Sequence, residues 1–379
     1  MIKWNGDQRA LRDGLGPYLE DLNAGHVERD AQALFPHDGW KLLADTGILG
    51  LPFDEQYGGL GQDLLTTMYV LEGLGEGCRD AGLNFSVCTH LASTGVPLQR
   101  FGSTALKERY LPGLCRGETI AAHAISEPGS GSDALAMRTR ARRDGDHWVL
   151  NGSKSFVSNG PVAGLIVVYA RTADRSSPLS HTAFLVERDT PGLVVGAPVP
   201  KMGLRTAPLC ELFLDDCRIP ADRVLGRVGG GYLVMEYVMR WEILLSFVVN
   251  AGEMTDRLNR CVQYAKERTQ FGRPIGSNQA ISHKLVDMRI GVESARQWLY
   301  LTAQKMADGE NVTEDIALAK LVTSEANVAS ALSAVQIFGA NGYMSEYGIE
   351  KELRNSVAGT IYSGTSETQR NRVASLLGL

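Results

Sequence analysis

Leu165-Ile166-Val167-Val168-Tyr169 decides the fold class of the middle of this chain. It is a short run rich in β-branched residues, and two similar runs follow, Ala183-Phe184-Leu185-Val186 and Leu193-Val194-Val195. Gly, Asn, Ser and Pro bound them, the texture of antiparallel sheet or a small barrel. That texture extends from residue 119 to about 225, and residues 171–180 read as a polar hairpin loop, the widest linker candidate.

On either side the periodicity changes. Upstream, Gly39-Trp40-Lys41-Leu42-Leu43-Ala44 and Leu64-Leu65-Thr66-Thr67-Met68-Tyr69-Val70-Leu71 space apolar residues by three and four, as helices do. Gly50-Leu51-Pro52 and Tyr57-Gly58-Gly59 break them. Downstream of Gly229-Gly230-Gly231, helical periodicity returns around 232–267, 279–307 and 313–338. The order predicts an α+β fold of three units: helical over 1–118, β over 119–228, helical over 229–379. It is not the strand–helix alternation of a doubly wound nucleotide fold. The 379 residues exceed what one core supports, which agrees with several units.

Composition narrows the function. Hydrophobic residues at 44% and charged residues at 21% describe an ordinary globular chain. A formal charge of −5 argues against nucleic acid or an anionic membrane as partner. No apolar run of about 18 residues is present, so no transmembrane helix is expected. The N-terminus lacks the apolar core of a signal peptide. The six cysteines form no C-x-x-C pair and are expected as reduced, mostly buried thiols of a cytoplasmic protein.

Common catalytic signatures are missing. The glycine clusters at 129–131 and 226–231 do not match G-x-G-x-x-G, and neither a Walker motif nor a G-x-S-x-G elbow occurs. The seven histidines are scattered, with no H-E-x-x-H. Metal catalysis and serine hydrolysis are therefore disfavoured. A redox enzyme would have to hold its cofactor by other means.

Four segments offer such means: Ala124-Ile125-Ser126-Glu127-Pro128-Gly129-Ser130-Gly131-Ser132-Asp133; Asn151-Gly152-Ser153-Lys154-Ser155-Phe156-Val157-Ser158-Asn159; Arg268-Thr269-Gln270-Phe271-Gly272-Arg273-Pro274 with Gln279; and Gln336-Ile337-Phe338-Gly339-Ala340-Asn341-Gly342 followed by Ile361-Tyr362-Ser363-Gly364-Thr365-Ser366-Glu367. Together and in this order they resemble the acyl-CoA dehydrogenase family over nearly the whole chain. The resemblance implies a helical N-terminal domain, a β-barrel-like middle domain, a C-terminal four-helix bundle and bound FAD.

It also implies roles. Ile125 and Ser126 match the backbone and hydroxyl contacts of the flavin ring, while Gly131 and Ser132 lie where relatives approach FAD and the pantetheine arm. Phe156 and Ser158 stand where the family usually has Trp and Thr; Phe keeps an aromatic wall but loses an indole N–H. Arg268, Phe271 and Gln279, with Gln336, Gly339 and Ala340, would contact the FAD of a neighbouring subunit, implying a homodimer or homotetramer. The family has Gly where Ala340 stands. Thr365 and Glu367 would close over the cofactor. The bland alternatives are a Ser/Gly-rich turn, the inward face of a strand and a solvated arginine.

The resemblance also implies the activity, FAD-dependent α,β-dehydrogenation of an acyl thioester, in which a carboxylate takes the α-proton while the β-hydrogen leaves as hydride to flavin N5. Many members supply it from Tyr-Glu-Gly-Thr, but this chain has Tyr362-Ser363-Gly364-Thr365, and a serine hydroxyl is far too weak a base. Branched-chain and long-chain members supply it from an earlier helix, and counting back from residue 267 without gaps places Glu242 there. Ile243-Leu244-Leu245 follow it, and an apolar setting makes a carboxylate a better base. The plain alternative is a surface glutamate paired with Arg240. Ser363 keeps its backbone N–H for the thioester carbonyl, with no role expected for its side chain.

Glu242 after Trp241, Ser363, and Lys154-Ser155-Phe156 are similar to a subgroup that oxidises an aminoacyl group, such as L-prolyl, on a carrier protein. The expected partners are a carrier-protein or CoA thioester and an acceptor, either electron-transfer flavoprotein or oxygen. Rival readings are short- or branched-chain acyl-CoA catabolism, a flavin monooxygenase on the same fold, and a helical scaffold that has lost its chemistry.

Overall fold

The computed structural model describes residues 2–173 and 177–379, and in it the chain runs through helices, a sheet and helices again. The expected loop at 171–180 contains residues 174–176, which lie outside the described residues. In the first helical unit, α1 (Leu64–Gly77) and α2 (Ala81–His90) pack against the long helix of the last unit. Each begins on an aspartate: Asp63 accepts from the Thr66 N–H and Asp80 from the Leu83 N–H, satisfying amides that a helix start leaves unpaired.

The eight strands are β1 (Ala121–Ala124), β2 (Arg140–Asp144), β3 (His147–Ser158), β4 (Leu165–Arg171), β5 (His181–Glu187), β6 (Leu193–Val195), β7 (Leu209–Pro220) and β8 (Val224–Leu225). They lie in the order β6-β7-β3-β2-β4-β5-β8, with β1 beside β4. Most pairs are antiparallel. β1 runs parallel to β4, an orientation that needs the long crossover through β2 and β3, and one β2–β4 pairing is also parallel. The sheet is therefore mixed, where the sequence texture predicted antiparallel strands alone.

Both faces of β4 are covered, which explains its unbroken apolar run. Leu165, Val167 and Tyr169 join the core shared with the helices, while Ile166, Val168 and Ala170 join the core on the sheet's other face. Alternation of side chains along a strand sorts them so.

Beyond the sheet come α3 (Gly231–Glu267), α4 (Gln279–Ala307) and α5 (Thr313–Phe338), close to the three periodic stretches of the sequence. α3 has 37 residues, a length of about 55 Å. It crosses α1 at a glycine contact: a Cβ on Gly75 would lie 2.1 Å from the Val249 carbonyl, and one on Gly252 would lie 2.1 Å from that of Glu72. The backbones touch only because both side chains are absent, and that contact sets where α3 sits. The fourth side of the bundle is not one long helix. It is divided into α6 (Ile349–Ala358) and α7 (Ser366–Leu376), and the turn between them carries Ser363.

All six cysteines are buried and unpaired. Among the described residues no group of His, Cys, Asp or Glu could hold a metal, and no helix is long and apolar enough to cross a membrane.

Candidate active site

On α3 the run Ile243 to Val249 is buried throughout, and Glu242 at its start is only 8% exposed. The helix turns this carboxylate into a cavity of about 560 Å³, lined also by Ile125, Ser126, Gly131, Ser132 and Ser363. Three separate regions meet there: the loop after β1, the N-terminal third of α3, and the turn before α7 with the first part of α7 itself. Six residues singled out in the sequence thus share one cavity.

The carboxylate does not pair with Arg240. The Ser363 hydroxyl donates to Oε1 of Glu242 at 2.5 Å. Nε2 of His123, on β1, lies 3.4 Å from Oε2, which has no hydrogen-bond partner among the described residues. Burial lowers the His123 pKa, against the pull of Glu242, so its imidazole is held neutral. The Tyr169 hydroxyl nearby is buried without a partner among the described residues, and burial, reinforced by Glu242, keeps it protonated. The setting is less apolar than the sequence predicts. One carboxylate oxygen is anchored; the other is free to take a proton.

Ser363 has a left-handed backbone, φ +53°, which costs a non-glycine residue about 1–2 kcal/mol. The side chain of Gln369 donates to its carbonyl at 3.0 Å and holds the peptide. The Ser363 N–H donates to no acceptor among the described residues. It is a backbone donor beside a buried carboxylate, the pairing needed to polarise a carbonyl and remove the neighbouring proton.

The loop that lines the opposite wall is tied to β3. Lys154, fully buried, donates to the Glu127 carboxylate at 2.8 Å and to the Ile125 carbonyl at 3.0 Å. Glu127 also accepts the backbone N–H groups of Arg138 and Thr139, and the Ser155 N–H donates to the Ser126 carbonyl at 2.9 Å. Burial pulls Lys154 down to about 8 against the pull of Glu127. Burial pushes the Glu127 carboxyl up, but Lys154 and its hydrogen bonds outweigh that and hold it below the ordinary value.

The β3–β7 register slips between Lys154 and Val157. Such a bulge re-aims a side chain, and Phe156 stands at φ +57° with 71% of its surface exposed. Ser158 is half-buried at the strand's end. Thr365 caps α7 by accepting the Thr368 N–H, with Glu367 exposed in the first turn. Its own backbone amide, then the Thr365 hydroxyl, hold the Glu367 carboxyl below its ordinary value. Neither Thr365 nor Glu367 lines the cavity, although Gly364 and Thr368 do.

The remaining six candidates lie elsewhere. About 39 Å of helix separates Glu242 from Arg268, so within one chain they cannot serve one cavity. Arg268, Phe271 and Gln279 gather with Gln336, Gly339 and Ala340 where α3 ends, α4 begins and α5 ends. Tyr264 stacks on Phe338 with ring centres 4.1 Å apart and joins these ends. All six residues are exposed. Phe271 is 99% exposed at φ +52°, and the Arg268 side chain has no partner among the described residues.

Sequence reasoning missed His123, Tyr169, Glu127 and Gln369. His123 sits among alanines in a short strand, and nothing local points to a carboxylate more than a hundred residues away. Glu127 and Lys154 carried a weak signal, since both lie inside segments of the family resemblance.

Comparison with known proteins identifies the family. Models of the N-terminal, middle and C-terminal domains of acyl-CoA dehydrogenase match residues 5–118, 122–217 and 229–378. The chain belongs to the acyl-CoA dehydrogenase family. An L-prolyl-[peptidyl-carrier protein] dehydrogenase of Pseudomonas fluorescens is 39% identical over 341 residues, 90% of each chain. The crystal structure of the prolyl acyl carrier protein oxidase AnaB superposes with a TM-score of 0.97 at 39% identity, covering 100% of both chains. The structure of PigA with FAD and proline does so with a TM-score of 0.96 at 35% identity, covering 100% of this chain and 99% of that one.

Proposed function

We propose that this acyl-CoA dehydrogenase family member is an FAD-dependent dehydrogenase that oxidises an acyl thioester on a carrier protein, an L-prolyl group being the substrate that its relatives point to. The observation that carries the mechanism is the free Oε2 of buried Glu242 in a cavity shared with the Ser363 amide.

The residues present fit FAD. The loop 125–132 offers backbone groups, hydroxyls and small residues along one wall, and the bulge on β3 presents the exposed ring of Phe156, a flat apolar surface suited to a planar partner. Bound FAD supplies the acceptor for the hydride that leaves the β carbon. The protein's own part is acid–base work. Glu242 takes the α-proton at Oε2 while the Ser363 hydroxyl holds Oε1. The Ser363 N–H donates to the thioester carbonyl and stabilises the charge that builds there. Ile125, Ser126, Gly131, Ser132, Phe156, Ser158, Thr365 and Glu367 are assigned to FAD.

Arg268, Phe271, Gln279, Gln336, Gly339 and Ala340 are assigned to the FAD of a neighbouring subunit. What supports this is a guanidinium without a partner among the described residues and a bare phenyl ring, both out of reach of the chain's own cavity. The enzyme is then at least a dimer, with a dimer of dimers as the family form, and its acceptor is electron-transfer flavoprotein or oxygen.

The test is anaerobic titration of the purified flavoprotein with L-prolyl-loaded carrier protein and, in parallel, isovaleryl-CoA. Bleaching of the flavin by the carrier-bound thioester is expected. Bleaching by the CoA ester alone would move the enzyme to acyl-CoA catabolism, and bleaching by neither would end the dehydrogenase reading.

A further inference from the structure

Once Glu242 holds the α-proton, the cavity through which it could lose that proton is filled by the thioester. A second set of polar groups begins one helical turn behind it, its first member, Ser246, standing outside hydrogen-bond contact with Glu242. Ser246, Asn250 and Glu253 follow Glu242 along α3 at spacings that keep them on one face of the helix. Ser246, Asn250, Glu253, Cys88 and Tyr362 line a narrow cavity with room for about one water molecule. Another small cavity shares Glu253 and continues to Arg79 and Asp256, an ion pair at the surface.

The groups along this path are unusually short of partners. Oε2 of Glu242, Oγ of Ser246, Oε1 of Glu253 and Oδ1 of Asn84 are all buried without a hydrogen bond among the described residues. The Tyr362 hydroxyl contacts Asn250 Oδ1 at 3.5 Å, and Asn250 Nδ2 donates to Glu253 Oε2 at 3.0 Å. A proton on Oε1 of Glu253 would satisfy that oxygen and Asn84 together, since Asn84 faces the same carboxyl.

We propose that the α-proton leaves Glu242 through Ser246 and a water in the narrow cavity to Glu253, and from there reaches solvent beside Arg79 and Asp256. The inference rests on the dehydrogenase reading above. One proton leaves Glu242 and one reaches bulk water; no bond to carbon changes, and Glu242 is again a carboxylate while the acyl group stays bound. Once the external acceptor has also reoxidised the flavin, a tethered ring could be oxidised a second time without release. Glu253 acts through Glu242 and touches no substrate.

The electrostatics agree. Burial pushes the Glu253 carboxyl up to about 7, opposed by Arg257, by the hydrogen bond from Asn250 and by the nearby Asn84 amide, with Glu352 of α6 adding to the rise. Cys78, Arg79 and Asp256 face it across the outer cavity, and Cys88 and Tyr362 across the inner one. Burial keeps the Tyr362 phenol protonated, with Glu253, Cys88 and Glu242 adding to the rise, as expected of a hydroxyl between two carboxylates.

Anaerobic stopped-flow mixing with L-prolyl carrier protein, following flavin absorbance and a pH-indicator dye together, tests the path. In the wild type, proton release should accompany bleaching. In Glu253→Gln bleaching should stay within about twofold of wild type, while proton release lags by about tenfold or more and is restored by imidazole. Ser246→Ala should show the same lag and carries the test alone should the first variant not fold. Release coincident with bleaching in the variants overturns the path and leaves the base intact. A wild-type flavin that no thioester bleaches removes the dehydrogenase reading, and the path with it.

Discussion

Ser363 Oγ lies 2.5 Å from Oε1 of Glu242 and donates to it, joining two residues 121 positions apart in the chain. The serine stands where many relatives carry their base, and its hydroxyl here holds a buried carboxylate on another helix, the base in the proposed mechanism. The sequence assigned that side chain no role. The contact gives it one, because a carboxylate with one oxygen anchored presents the other in a defined direction.

Ser363→Ala should therefore slow flavin reduction by roughly tenfold or somewhat more, since a hydrogen bond to a charged group is worth about 1.5–3 kcal/mol. KM should hardly move, because the backbone N–H stays. A rapid-mixing rate within about twofold of wild type would show that the hydroxyl orients nothing.

Glu242→Gln keeps the shape and removes the carboxylate proposed as the base. The purified variant should remain yellow, yet bleach slower by about 100- to 10,000-fold, the usual worth of a positioned proton acceptor. Absorbance spectra before and after adding thioester check both statements. Turnover within about tenfold of wild type would take the base role from Glu242.

Lys154→Met strands the buried Glu127 carboxylate, a change that typically costs about 3–5 kcal/mol. Since the pair ties the 125–132 loop to β3, FAD should be lost along with thermal stability. Adding Glu127→Gln should recover much of the melting temperature, because the uncompensated charge is gone. A single variant as stable and as yellow as wild type would mean the pair is dispensable.

Glu253 predicts a pH effect on stability. Its folded pKa, about 7, lies above the ordinary carboxyl value of 4.5, so between those values the folded state holds a proton that the unfolded state has lost. Its contribution is fully present below about 4.5 and is lost as pH rises through 7. Glu253→Gln removes this dependence, so the melting temperature of the variant relative to wild type should climb from pH 5 to pH 8. A constant difference across that range would show that Glu253 is charged throughout.

Arg268→Ala should leave the fold and the base untouched and weaken FAD retention, by about tenfold or more for a lost charge-assisted contact to phosphate. The ratio of flavin to protein absorbance after gel filtration measures it. Full retention would place the cofactor's anionic end elsewhere.

What could be read in advance follows from the range of the forces involved. The helices 231–267, 279–307 and 313–338 were visible because burying one face of a helix imposes a three-to-four-residue period on its own sequence. The doubly covered strand at 165–171 was visible as an unbroken apolar run. Ile125, Ser126, Gly131, Ser132, Glu242 and Ser363 could be named from their segments, but their common cavity is a product of folding.

The sequence by itself determined the order helix, sheet, helix and the presence of one carboxylate in an apolar stretch of α3, because both are local patterns. Only the tertiary structure decided what surrounds that carboxylate: the Ser363 hydroxyl, the neutral imidazole of His123 and the free Oε2. It also decided the buried Lys154–Glu127 pair and the bulge that turns Phe156 outward. These depend on contacts between segments far apart in the chain, set by the glycine crossing of α1 and α3 and by the break between α6 and α7, and no periodicity records them.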